Sequence, residues 1–173
     1  AWAVGMVYKD ITDQAFRKEM DKAVKDLSAQ LDKENESTPF GVPYKPNVWG
    51  DGWTIQSQAV QHYFLVTGFP GVFKPDRIFN AAQFMMGCHP GSNTASFASG
   101  VGNKSITAGY GVNRADLSYI PGGVASGTAI IRPDFPEMKD NWSFLWQQTE
   151  YVLGGGATNF SFLVLATEQL LGK

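Results

Sequence analysis

WGDGWTIQSQAVQHYFLVTGFPGVFKPDRIFNAAQFMMGCHP, residues 49–90, reads as a helical hairpin. A helix is expected from about Thr54 to Val66, with Ile55, Ala59, His62, Tyr63 and Val66 on or near one face. Gly68 to Lys74 is a turn. The next helix opens at Pro75 or Asp76, where the missing N–H of proline costs nothing. Ile78, Phe79, Ala82, Phe84, Met85 and Met86 give that helix a broad apolar face, Met-rich in the way of a core filler. Gly87 ends it and Pro90 stops it. His62 reads as a packed core histidine. Trp49 and Trp53, at the loop-to-helix junction, either plug the end of a helical core or present a ligand surface.

Upstream, Asp13 to Glu34 is a third helical pattern. Phe16, Met20, Ala23, Leu27 and Leu31 recur every three or four residues, with Lys, Asp and Glu between them. Thr12 or Asp13 can cap its start. Ser37 to Asn47 (STPFGVPYKPN) then carries three prolines, which forbid a helix and leave an extended connector.

Downstream, Gly87 to Pro136 is rich in Gly, Ser, Asn and Thr, with little helical period. Long structureless stretches inside a compact domain are generally functional. It is no phosphate loop, since no Gly-Lys-Ser/Thr follows at the required spacing. Small polar residues with isolated His89, Asn113, Arg114 and Tyr119 suit a neutral, hydroxyl-rich ligand. Beyond it, Asn141 to Leu171 (NWSFLWQQTEYVLGGGATNFSFLVLATEQLL) places Trp142, Trp146, Gln147 and Gln148 ahead of one carboxylate, Glu150. A carboxylate beside aromatic rings is desolvated, which raises its pKa as a general acid near neutral pH requires. Indole faces also stack on sugar rings. Glu150 is therefore a candidate proton donor in a carbohydrate-active site, with a plain helix-surface glutamate as the alternative. A terminal helix follows, with Phe160, Leu163, Val164, Thr167 and Leu171 as its buried stripe.

Composition sets the bounds. The length, 173 residues, suits one domain with a sizeable core, and a net charge of −2 points to no nucleic-acid partner. Cys88 is the only cysteine, so there is no internal disulfide and no metal framework. No stretch approaches the ~20 consecutive apolar residues of a membrane span. No cofactor or metal is expected. The compartment stays open, with a secreted or periplasmic bacterial enzyme favoured over a cytoplasmic one. The opening AWAVGMVYKD has no initiator Met and reads as the middle of something longer.

Helices paired by connectors, with the chemistry gathered in one set of loops, predict an all-α fold: helical hairpins forming part of an (α/α)6 toroid, with long Gly-rich loops. The order of motifs resembles the C-terminal half of the catalytic domain of glycoside hydrolase family 9. Trp49-Gly50, then Gly52 and a helix, is similar to that family's Trp-Gly-Ser-Asn segment. Met85 to Pro90 followed by Ser96 to Gly102 resembles its Leu-Leu-Gly-Arg-Asn-Pro and Ser-Tyr-Val-Thr-Gly-x-Gly stretch. Tyr119 to Val124, with Gly127, resembles its Pro-Gly-x-Leu-Val-Gly-Gly segment. Thr149-Glu150, with Asn159 and the last apolar helix, resembles its Asn-Glu-x-Ala-x-x-x-Asn-Ala.

The resemblance implies inverting hydrolysis of β-glycosidic bonds with Glu150 as the general acid. Trp49 and Trp146 would stack on sugar, and His89, Arg114 and Tyr119 would donate to hydroxyls. It spans Trp49 to the C-terminus and departs from the family in four places. The His-His-Arg motif is missing, leaving Asn113-Arg114 nearby. Asn159 stands three residues further from the acid than the family places it, and His89 replaces an asparagine. The Asp-Ala-Gly-Asp segment that supplies the family's base is absent. Inversion needs two carboxylates about 6.5–9.5 Å apart, and Asp51, Asp116 and Asp134 read as cap or loop residues. The expectation is one domain over residues 1–173, the C-terminal portion of an (α/α) barrel whose N-terminal half would be its partner. It would be nearly inactive alone. A non-catalytic carbohydrate-binding helical domain and a purely structural helical module are the other readings.

Overall fold

The computed structural model describes residues 2–37, 41–42, 51–88, 95–105, 120–125 and 155–172. The described elements are α1 (Trp2–Val7), a short 3-10 turn (Tyr8–Asp10), α2 (Gln14–Glu36), α3 (Asp51–Gly68), α4 (Asp76–Met85), β1 (Ala95–Ser96), β2 (Lys104–Ser105) and α5 (Gly155–Leu170).

Each helix follows from its local chemistry. Asp13 caps α2, its carboxylate accepting from the N–H groups of Ala15 and Phe16 at 2.9 and 3.1 Å. α3 starts at Asp51, earlier than the expected Thr54, and its buried positions include Ile55, Ala59, His62 and Leu65. The turn at Phe69–Pro75 reverses the chain, with Gly71 at φ 80°. α4 then packs back along α3 as the second arm of the hairpin, and Ile78, Ala82, Phe84 and Met85 are buried as the apolar pattern requires.

α5 lies against both arms. Tyr63 Oη donates to Gln169 Oε1 at 2.8 Å, and the Tyr63 and Phe64 rings meet Phe162 at 5.4 and 5.6 Å. Gln169 lies in the last turn of α5 and Phe162 near its middle, so the α3 rings at Tyr63 and Phe64 pack along the C-terminal half of α5. The start of α3 and the end of α4 share one end of the hairpin.

The main core is Ile55 and Ala59 of α3, Ile78, Ala81, Ala82, Phe84 and Met85 of α4, Leu163 of α5, and Val42, Phe97, Ala98, Val124 and Ala125 from the loops. A second core sits at the other end. There Val24 of α2 packs with Leu65, Phe69 and Phe73, flanked by Val4, Tyr8, Met20, Leu27 and Leu31.

The structure adds one helix to the sequence reading and moves several side chains out of their expected stripes. α1 was not legible as a helix; it is held because Gly5 and Gly68 let the α1 and α3 backbones touch, and a Cβ at either would collide with the other helix. Phe16 and Ala23, expected on the apolar stripe of α2, are both exposed: Phe16, at 50%, borders an open apolar groove with Val4, Met20, Val24 and Leu65, and the buried residue of α2 is Val24, one position on from Ala23. Leu171 is also exposed, because α5 ends at Leu170 and Leu171 falls in the turn beyond it. Among the described residues, no helix is long and apolar enough to cross a membrane.

Candidate functional site

The end of α4 carries a platform built from three separate stretches. Gly87 turns the chain at φ 90°, and Cys88 N–H donates back to Gln83 O at 2.9 Å, closing the helix. The segment from Ala95 onward then returns to the exposed carbonyls of that last turn. Phe97 N–H donates to Met85 O and Asn103 N–H to Met86 O, both at 2.8 Å. β1 and β2 pair in parallel, Ala95 with Lys104 and Ser96 with Ser105.

The third stretch, Ile120 to Ala125, closes over the second. Ala98 and Val124 form an antiparallel bridge. Ser99 N–H donates to Gly123 O, Gly122 N–H to Ser99 O, and Ala125 N–H to Phe97 O, each at 2.8 Å. Gly122, at φ 73°, makes the tight turn. Phe97, fully buried, stands edge-on to Phe84 with centroids 5.4 Å apart, which ties the platform to the helical core.

Ser96 and Gly102 lock this arrangement. The buried Ser96 hydroxyl donates to Ala98 O at 2.9 Å, with Met85 O at 3.3 Å beside it, and accepts from Ala98 N–H at 3.3 Å. Gly102 has φ 81°, and a Cβ there would strike Met86 O and stand 2.7 Å from Ser96 Oγ. Sequence reasoning placed Ser96 and Gly102 in a motif without a role. The run of small residues was the only signal that backbone approaches backbone here.

All six residues singled out as site candidates, Trp49, His89, Arg114, Tyr119, Trp146 and Glu150, lie outside the described residues. His89 follows Cys88, Tyr119 precedes Ile120, Trp49 stands just before α3, and Glu150 stands a few residues before α5. The long Gly-rich stretch, expected to lack regular structure, contributes the β1–β2 ladder and the Ala98–Val124 bridge. Its backbone groups find partners in other loop strands and in the last turn of α4, a pattern without helical period. Among the described residues, no group of three or more His, Cys, Asp or Glu is placed to hold a metal ion.

No protein-family model matches the sequence, and no curated protein does. Solved structures do. A single-mutant thermostable endoglucanase from Alicyclobacillus acidocaldarius superposes with a TM-score of 0.67 at 17% identity, over 90% of this chain and 32% of that one. AaCel9A in complex with cellobiose-like isofagomine gives 0.69 at 19% identity, over 93% and 33%. The fold matches part of these two endoglucanase structures. It is all-α, helical hairpins forming part of an (α/α)6 barrel. The chain spans about a third of the length of the endoglucanase structures it matches. The likeness to these endoglucanase structures agrees with the resemblance seen in the sequence.

Proposed function

We propose that this chain is part of a glycoside hydrolase that cleaves β-glycosidic bonds of polysaccharide or oligosaccharide with inversion, and that Glu150 is its general acid. The observation that carries the reading is the platform. Two segments that resemble family 9 motifs meet there: the loop from Ala95 to Asn103 hydrogen-bonds back to Met85 and Met86 at the end of α4, and Gly122 to Ala125 hydrogen-bonds to Phe97 and Ser99 of that loop. From that end the chain leads into His89 and Arg114 and returns from Tyr119.

On this reading Glu150 protonates the leaving oxygen while a carboxylate on the opposite face of the sugar activates water. The Asp-Ala-Gly-Asp segment that would supply the base is missing from these 173 residues. The base then comes from an N-terminal half of the parent catalytic domain, and this chain alone turns over little substrate. Trp49 and Trp146 stack on sugar rings, and His89, Arg114 and Tyr119 donate to hydroxyls. A secreted or periplasmic bacterial setting fits a polysaccharide substrate.

The test is titration of the 173-residue chain with cello-oligosaccharides, followed by tryptophan fluorescence, beside a hydrolysis assay. Saturable quenching that is lost in Trp146→Ala, with little release of reducing ends, supports the reading. Substantial turnover by the chain alone contradicts the division of labour. Binding unchanged by Glu150→Gln, with no hydrolysis even in the parent, favours a non-catalytic carbohydrate-binding domain.

A further inference from the structure

At the end of the hairpin away from the platform, a pocket of about 190 Å³ opens between α2, α3 and the start of α4. Its lining combines a buried polar floor with a charged mouth. The floor is Arg77, 4% exposed, with His62 and Phe73. The mouth is Asp32 and Asp76 against Lys74, all exposed.

The floor carries hydrogen-bonding capacity that the described protein groups leave unmatched. Arg77 Nη2 faces Glu34 Oε2 at 3.7 Å, close enough for charge pairing and too far for a hydrogen bond. Arg77 Nε and Nη2 have no hydrogen-bond partner. His62 Nε2 lies 2.8 Å from Lys74 O, and a carbonyl only accepts, so Nε2 carries the ring hydrogen. Burial, the largest influence, lowers the pKa of His62 and keeps the ring neutral, which leaves Nδ1 as an acceptor. Nδ1 has no partner either. Buried donors and acceptors of this kind are normally paired, and those that are not call for a ligand, an ordered water or a strain role.

The chemistry selects the ligand. Lys74 and Arg77 are balanced by Asp32 and Asp76, with Glu34 adding a further negative charge beside Arg77, so an anion meets no excess of positive charge. A hydroxyl group does what the pocket asks: its oxygen accepts from the guanidinium, and its hydrogen goes to His62 Nδ1 or to the Asp32 carboxylate. Two neighbouring hydroxyls match the paired donors of a guanidinium edge. Phe73 offers an apolar wall for the carbon skeleton. The volume corresponds to about six waters at ~30 Å³ each, room for a single small ring. We propose that this pocket binds one neutral polyol unit with adjacent hydroxyls, such as a single sugar ring, at a site separate from the platform loops. It stands whether or not Glu150 is a general acid.

The probes are glucose, cellobiose and glycerol, titrated into the folded chain while the Arg77 Nε–H and His62 ring resonances are followed by NMR. Saturable shifts of both residues with glucose, weakened about tenfold or more in Arg77→Leu, support the site. Asp32→Asn, an exposed change that leaves the buried floor intact, should also weaken binding. Shifts with glucose but not cellobiose mark a site for a free monosaccharide, and shifts with both mark one that takes the end of a longer saccharide. No saturable shift with any polyol overturns the proposal and leaves water as the occupant. Shifts with phosphate or acetate in place of glucose overturn it in favour of an anion site.

Discussion

Gly102 lies against Ser96 so closely that a Cβ at Gly102 would stand 2.7 Å from Ser96 Oγ and strike Met86 O. This contact fixes where the loop leaves the end of α4, since Asn103 N–H takes Met86 O in the same place. Gly102→Ala adds both the collision and a side chain at φ 81°. It should cost about 2–3 kcal/mol, read as a lower midpoint in urea unfolding. A loss under about 0.5 kcal/mol, the scatter of neutral surface changes, would mean the platform is not packed as described.

Phe84 and Phe97 join the helical core to the loop platform, both fully buried and edge-on at 5.4 Å. Phe84→Ala removes a ring from the centre of the larger core and should cost about 3–5 kcal/mol. Phe16→Ala, at a half-exposed position on α2, should cost much less. Equal losses at the two sites would contradict the assignment of the core.

His62 makes stability depend on pH in a stated direction. Its folded pKa is lowered, first by burial and further by the charge of Arg77, while the bond to Lys74 O and the charge of Asp32 oppose the shift. Unfolded, the ring takes a proton near its ordinary value of about 6.5. Between that value and the lowered one the unfolded chain binds more protons, so stability rises with pH across the window. Acidification through it therefore destabilises the protein. Unfolding free energies of wild type and His62→Phe, measured from pH 7.5 downward (roughly the range where histidine titrates), should converge as pH falls. A constant difference would show that His62 is not held neutral.

Asp13 satisfies two N–H groups at the start of α2. Asp13→Ala should cost about 1 kcal/mol, and Asp13→Ser much less, in thermal unfolding. Equal effects would mean that the cap contributes nothing.

The hairpin was legible because its signals agree: an apolar stripe in α4, a Gly/Pro turn and a glycine stop. α2 was legible from its period and its cap. α1 was not, since WAVGMV is short and its contact with α3 rests on two glycine backbones, which leave no periodic pattern. Phe16 fits the stripe of α2 yet borders open space, because periodicity gives the face of a helix and not what covers it. The platform was legible as an ordered set of motifs, but not as a structure. Hydrogen bonds between loop backbones, such as Ala125 N–H to Phe97 O, leave no side-chain signature. The pocket at Arg77 left none either: His62 read as core, and its bond to Lys74 O bears that out while one ring nitrogen stays unmatched.

The most direct test of the central claim is release of reducing ends from β-glucans by the parent catalytic domain and by its Glu150→Gln variant. Loss of a general acid predicts a fall of about two orders of magnitude or more, with binding of oligosaccharide retained. Equal activity in the two proteins would remove Glu150 from the mechanism.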